Sequence, residues 1–477
     1  MSSNLIMAYS LFTDLSQELI LLVSRHLGTE DYGNLRRTCS YIEKQLFEDF
    51  AKHFFTTRQF MLTHYSLQTL IDISNHDALG GHLRKIIIGT NIIAEPASGQ
   101  FIRTGTGGTG PTDQQRAYAS KEYLDQQYLT SMGGDVSMLT DAFRRLSNCR
   151  EVEIRDYNSG TRYRDGADWK SYGATKYELL SGLHIELGLT YTTTNVDRSG
   201  WLSHVFSVVL SAIVESRLNC EALMVTTRYQ GLEAKAFHFP AWRQSELETS
   251  LKQLKTLQLN LHSLGDPSGH QGVNVYKSML RLMPNLTSLR YNTSQHYDIE
   301  PPMEATMTTL APCPIRTLEF GKFTSHTGMI SDFICQYRQS LGRLELYKIG
   351  LTMSSLTWDG LLRELEDFPA LKHFKLTFVT QNHSHVGFKG TEDRDKPAHR
   401  RMVLESSVAL EAKPGAEMRD AIRTLRMRLV IKDNAFLNSD AESDSEDSNS
   451  DSDSDENINE GSIDESDEDE GGDEDGS

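Results

Sequence analysis

Apolar residues recur in two registers along this chain, one at helical spacing near the start and one at strand spacing through the rest. Leu15, Leu19, Val23 and Leu27 repeat every four residues, with Leu22 beside them and Glu18, Arg25 and His26 between. That spacing predicts a helix with an apolar side. Gly28 reads as its C-terminal stop, Thr29 to Asp31 as the cap of a second helix, and Leu35 and Cys39 as the four-residue repeat within it. Phe47, Phe50, Phe54 and Phe55 extend the helical pattern; Ser66, Leu67, Leu70, Ile71 and Ile73 start another helix, and Leu83 to Gly89, LRKIIIG, reads as a buried strand.

A second pattern takes over from there: apolar, two variable, apolar, one variable, apolar. It stands as LKTLQL at Leu254, LTSLRY at Leu286, IRTLEF at Ile315, LGRLEL at Leu341 and LKHFKL at Leu371, with steps of 32, 29, 26 and 30 residues. Looser copies are LRKIII at Leu83, CREVEI at Cys149 and CEALMV at Cys220. Helical patterns fill the intervals, as in Met329, Ile330, Phe333, Ile334 and Tyr337 or Leu361, Leu362 and Leu365, and Pro284 and Pro369 stop a helix just before a strand. The class is α/β with parallel strands, either an irregular repeat array or an α/β domain with unrelated strands.

The order LxxELxxxVxxxLxxxDYxxLRxTC resembles the F-box, matched through Leu15, Glu18, Leu19, Val23, Leu27, Asp31, Leu35, Thr38 and Cys39. Ser16 stands where that family usually has Pro, and Tyr32 where it usually has Leu. The resemblance implies a small helical module that docks on the Skp-family adaptor of a cullin-RING ubiquitin ligase. Its adaptor-binding residues would be Leu15, Glu18, Leu19, Val23, Leu27, Tyr32, Leu35 and Cys39. The competing reading of the ladder is plain helical core. A strand then a helix at a period of about 29 residues resembles the leucine-rich repeat, whose units stack because none buries its own face alone. The organisation expected is a flexible stretch over 1–10, an F-box-like module over 11–60, a leucine-rich-repeat-like solenoid over 61–437 with a loop insertion near 95–120, and a disordered acidic tail over 438–477.

Alternation along the strands then assigns the face opposite the buried leucines. It carries Gln258, Asn260, Arg290, Asn292, Glu319, Glu345, Tyr347, Lys375 and Thr377. This mixed-charge surface suits a protein substrate better than nucleic acid, which would require a basic stripe.

Charge sharpens the picture only at the C-terminus. Nineteen of the 66 acidic residues fall between Asp440 and Ser477, where there is no Lys or Arg, which leaves the rest near neutral at 47 acidic against 48 basic residues. Such a tail cannot bury enough apolar surface to order itself. Ser443, Ser448, Ser450, Ser452, Ser462 and Ser466 each have an acidic residue three positions later, the spacing of acidophilic kinase sites. An alternative function follows from the tail alone: an interaction scaffold, outside any ligase, whose acid binds a basic protein partner.

Other chemistry finds little support. Cys39, Cys149, Cys220, Cys313 and Cys335 are odd in number and form no C-x-x-C pair, which argues against a disulfide framework and a thiolate zinc site. GTGGTG at Gly105 fits a dinucleotide fingerprint only as a string, since Pro111-Thr112-Asp113 rather than an apolar helix follows. His383 and His385 have no third ligand at matching spacing. The longest apolar run, Ser207 to Val214, is under half of the roughly 18 residues a membrane span requires. The expectation is a non-catalytic protein of the cytoplasm or nucleus, or both, with no cofactor, metal, nucleic acid or membrane partner.

Overall fold

Each of the eight apolar phrases becomes a strand in the computed structural model, and each strand begins two residues after its phrase does. The structure describes residues 14–95, 111–161, 168–183, 185, 187, 198–228, 230–262, 264, 271–293, 300–352, 356–389 and 406–432. The expected flexible stretch at 1–10, the GTGGTG segment, the acidic tail and its six serines lie outside them.

Three helices come first: α1 (Gln17–Ser24), α2 (Thr29–Arg36) and α3 (Ser40–Phe55). The chain then alternates through β1 (Thr57–Met61), α4 (His64–Asn75), β2 (Lys85–Gly89), α5 (Asp113–Ser131), α6 (Gly134–Phe143) and β3 (Glu151–Arg155). A hairpin of β4 (Ser159–Thr161) and β5 (Asp168–Trp169) leads to α7 (Ala174–Ser181), α8 (Arg198–Ser216) and β6 (Ala222–Thr226). The regular part is α9 (Gln244–Leu251), β7 (Thr256–Leu261), α10 (Gln271–Leu280), β8 (Ser288–Thr293), α11 (Glu300–Leu310), β9 (Thr317–Ser325), α12 (Met329–Gln336), β10 (Arg343–Leu351), α13 (Trp358–Leu365) and β11 (His373–Thr377). It closes with β12 (Thr380–Gln381), β13 (Ser384–Phe388), β14 (Ser407–Glu411), α14 (Ala416–Arg428) and β15 (Leu429–Lys432).

Strands β1, β2, β3, β6, β7, β8, β9, β10 and β11 pair in that order, every pair parallel, within one thirteen-stranded sheet. Parallel neighbours need a crossover, and right-handed crossovers put the connecting helices on one face, although α5 and α7 also pack on Met61 at the other side of β1. Burial agrees: β8 and β11 alternate half-buried and buried residues along their length. The buried rows meet the helices, as where the Phe320 ring of β9 lies 5.2 Å from Phe333 of α12. Antiparallel β14 covers the far edge of β11, which would otherwise present unpaired backbone. Outside it, Arg423 and Arg426 of α14 reach Glu366, and Arg426 also meets Asp359 at 3.0 Å.

Two expectations change here. The loop insertion near 95–120 is in part helix, because Thr112 opens a capping box in which its hydroxyl accepts from the Gln115 N–H while Gln115 accepts from the Thr112 N–H. Gly28 does not stop α1: it is the N-cap of α2 at φ −63°, a conformation open to any residue. No helix among the described residues is long and apolar enough to cross a membrane.

Candidate functional site

Two surfaces follow from this arrangement, one on the helical module and one on the sheet face opposite the connecting helices. In the module, Ile20, Tyr32, Ile42 and Leu46 form a small core of their own, with Leu15, Leu21, Leu27, Leu35, Cys39, Phe50 and Phe54 packed around it. Helix α1 gives Ile20 and Ser24 to that core, four residues apart. Leu21 packs half-buried against that core, while three other apolar residues of the helix point away: Leu19 is 48 % exposed, Leu22 53 % and Val23 42 %. Glu18, at the exposed start of the same helix, is held below its usual carboxylate range by the Ser16 hydroxyl and by its own backbone N–H.

The eight residues expected to touch an adaptor thus separate into groups. Glu18, Leu19 and Val23 are exposed, while Leu15, Leu27, Leu35 and Cys39 are half-buried against the module's own core. Cys39 lies outside α2, as the N-cap of α3. Tyr32 is a correction: it is 1 % exposed, and its hydroxyl donates to the Leu46 carbonyl at 3.2 Å and to Asp49 at 2.9 Å. A side chain so enclosed cannot meet a partner without unfolding α2 from α3. Leu22 was outside the expected set, although it adjoins Val23 and sits three residues from Leu19.

On the sheet, register places one residue of every strand in each transverse row. The middle row reads Gln59, Ile87, Glu153, Met224, Gln258, Arg290, Glu319, Glu345 and Lys375. The alternation argument is right for Gln258, Arg290, Asn292, Glu319, Glu345, Tyr347, Lys375 and Thr377, all half-buried on this face. Asn260 is the exception. It is 1 % exposed, and its amide donates to the carbonyls of Thr227 and Gln230 and to the Thr227 hydroxyl, so it fastens the loop after β6 instead of meeting solvent.

Charges on the open part of this face are cross-linked. Arg290 lies 3.5 Å from Glu319, Glu345 accepts from Arg343, and His373 sits 3.1 Å from Glu345 and 3.2 Å from Glu411. Burial pushes the Glu319 carboxyl above its usual range; Arg290, Arg343 and His373 oppose the shift, and the neighbouring Glu345 charge adds to it. Arg343 and His373 were missed, yet one more step of the alternation back from Glu345 and Lys375 reaches them.

The N-terminal part of the same face is covered. The Gln59 amide donates to the Tyr157 carbonyl at 3.3 Å and to the Ser171 hydroxyl at 3.0 Å, and Ser171 donates to Asn91 at 2.5 Å. Arg58 lies 4.6 Å from the Trp169 ring. Gly89 permits this closeness, since a Cβ there would stand 2.5 Å from both Asn91 Oδ1 and Ser171 Oγ. Beneath the cover, Glu153 takes two bonds from Arg155, at 2.9 and 2.8 Å, and an ion pair from Lys85 at 3.0 Å.

All five cysteines are free, and burial pushes the Cys149 thiol up to about 12. No group of His, Cys, Asp or Glu among the described residues could hold a metal ion. No family model matches the chain, and no curated protein matches it.

Proposed function

We propose that the protein is a substrate receptor of a Skp-cullin-F-box ubiquitin ligase, with the helical module docked on the Skp-family adaptor and the repeat body holding a protein substrate. The observation that carries this reading is the outward face of α1, where Leu19, Leu22 and Val23 stand exposed while Ile20, Leu21 and Ser24 face the module. Exposed aliphatic side chains gathered on one short helix are a docking patch, since scattered ones are what an ordinary surface shows. The F-box-like order supports the choice of adaptor, and the strand-and-helix period supports a leucine-rich-repeat-like body. The chain would contribute proximity, and bond making would belong to other subunits.

Co-precipitation of the full chain with a Skp-family adaptor tests this. Leu19→Asp with Leu22→Asp puts charge into an apolar contact and should abolish capture while the melting temperature stays within a few degrees, because both side chains are exposed. Capture of the adaptor by the double variant at the wild-type level, or no capture by the wild type, would overturn the reading.

A further inference from the structure

Past the middle of β9 and β10, and directly after β11, three neighbouring strands leave the regular pleat in a row. Lys322 (φ 65°), Lys348 (φ 50°) and Phe378 (φ 53°) all adopt left-handed backbone, and none is glycine. Register shows the device. Tyr347 pairs with both Gly321 and Thr377, and pairing with β9 resumes at Ile349 opposite Phe323, so Lys322 and Lys348 stand opposite each other with the register unchanged, each left out of the ladder. Strained backbone repeated on adjacent strands re-aims side chains, and functional clamps are where such strain is retained.

The side chains it aims are cationic and aromatic. Lys322 reaches back along the face to donate to the Arg228 carbonyl at 2.7 Å. The Arg228 guanidinium lies 4.7 Å from the Tyr157 ring, which Arg155 meets at 4.9 Å. The Lys348 ammonium stands 5.1 Å from the Tyr347 ring and 5.9 Å from the Phe378 ring, and those two rings meet edge to face at 6.2 Å. Lys375 lies on the same face, two residues before Thr377 on β11, and pairs with no carboxylate among the described residues.

Lys322, Tyr347, Lys348 and Phe378 form a band across the sheet face, and behind it Lys375 shares a row with the carboxylates of Glu319 and Glu345. Strands lie about 4.8 Å apart, so Lys322, Lys348 and Phe378 are spaced like contact points along one extended chain. A wide polyanion such as a folded nucleic acid would place phosphates on the glutamates as well; a single strand of peptide would not.

Resting on the reading of this face as the recognition surface, we propose that the band binds an extended acidic peptide segment. Carboxylate or phosphate groups on the segment pair with Lys322, Lys348, Lys375 and Arg228, and an apolar side chain packs against the Tyr347–Phe378 ring pair. Phosphate and carboxylate share this chemistry, and the test separates them.

Fluorescence anisotropy of the full chain provides it, with a labelled peptide of alternating Glu and Tyr, the same peptide carrying phosphoserine at one Glu position, and a Lys-for-Glu counterpart. The acidic peptides should bind, more weakly as salt rises, and the Lys peptide should not. Lys348→Glu with Lys375→Glu should weaken binding by about tenfold or more, while Lys252→Glu, on the opposite edge of the sheet, should leave it unchanged. Tighter binding of the phosphopeptide assigns phosphate as the preferred group, and equal binding assigns carboxylate. Unchanged binding by the double Lys variant, equal binding of the Lys peptide, or displacement of the acidic peptide by a lower concentration of single-stranded RNA overturns the proposal. Adaptor capture is read separately: its loss with peptide binding intact defeats only the ligase reading, and the converse defeats only this one.

Discussion

Glu153 and Glu319 occupy the same row of the same sheet face, yet their surroundings push them in opposite directions. Burial raises Glu153, but the bonds and charge of Arg155, the charge of Lys85 and the Thr226 hydroxyl outweigh it, and the carboxyl ends below its ordinary 4.5. Burial also raises Glu319, and there the opposing charges of Arg290, Arg343 and His373 do not win, partly because Glu345 adds its own negative charge. The difference follows from the cover. Over β1, β2 and β3, Tyr157, Ser171 and Asn91 close on the face, and the charges beneath are matched to one another. Over β8 to β11 nothing among the described residues closes on it, and the charges are left imperfectly matched, as a surface awaiting a partner would be.

The largest effect should come from breaking the covered cluster. Glu153→Ala leaves the buried Arg155 without this carboxylate and takes from half-buried Lys85 the nearer of its two carboxylates, and should cost about 3–5 kcal/mol in urea unfolding. Because the folded carboxyl titrates below the unfolded one, its contribution is complete above about pH 4.5 and fades as pH falls through the lowered folded value. Acid unfolding of the wild type should therefore show a loss in that range that the variant lacks. Next in size is Ser171→Val, which removes the hydroxyl joining Gln59 to Asn91 and should cost about 1–3 kcal/mol.

The sheet was legible in the sequence and its cover was not. A strand announces itself through neighbours two residues away, and each apolar phrase located its strand without help from the rest of the chain. The cover depends on contacts such as Gln59 with Tyr157 and Ser171, which are 98 and 112 residues apart, and no local pattern encodes those. The same limit governs α1: four-residue spacing finds an apolar side of the helix but not what lies against it, so Ile20 as core and Leu22 as surface emerge only from packing. Tyr32 shows the reverse error, where matching a position to a family's docking residues overlooked that a Tyr with two internal hydrogen-bond partners closes a core. The left-handed residues Lys322 and Lys348 defeat strict alternation, since after them the buried row changes parity to Phe323 and Ser325 in β9 and to Ile349 and Leu351 in β10.

Glu319 gives the contrast with Glu153 its pH test. A carboxyl whose folded pKa is raised binds its proton more tightly folded than unfolded, so its ionisation opposes folding. That opposition is absent below about pH 4.5 and complete above the raised value. Glu319→Gln should remove this slope and leave stability at neutral pH within about 1 kcal/mol of wild type, the lost Arg290 pair offsetting the relief. A steeper fall of stability with rising pH in the variant than in the wild type would contradict the assignment.

The smallest expected change separates strain from function on the open half. Lys348 holds φ 50° with a Cβ in place, a conformation that costs an L residue about 1–2 kcal/mol and costs glycine almost nothing. Lys348→Gly should therefore be neutral or stabilising by up to about 1 kcal/mol, part of the relief being returned as extra freedom in the unfolded chain. The same substitution removes the ammonium beside Tyr347 and Phe378 and should weaken capture of an acidic peptide. Gain in stability with loss of binding is the signature of a residue kept for a ligand. If the variant instead unfolds more easily and binds as before, Lys348 serves the fold, and the two halves of the face differ only in how much of them is covered.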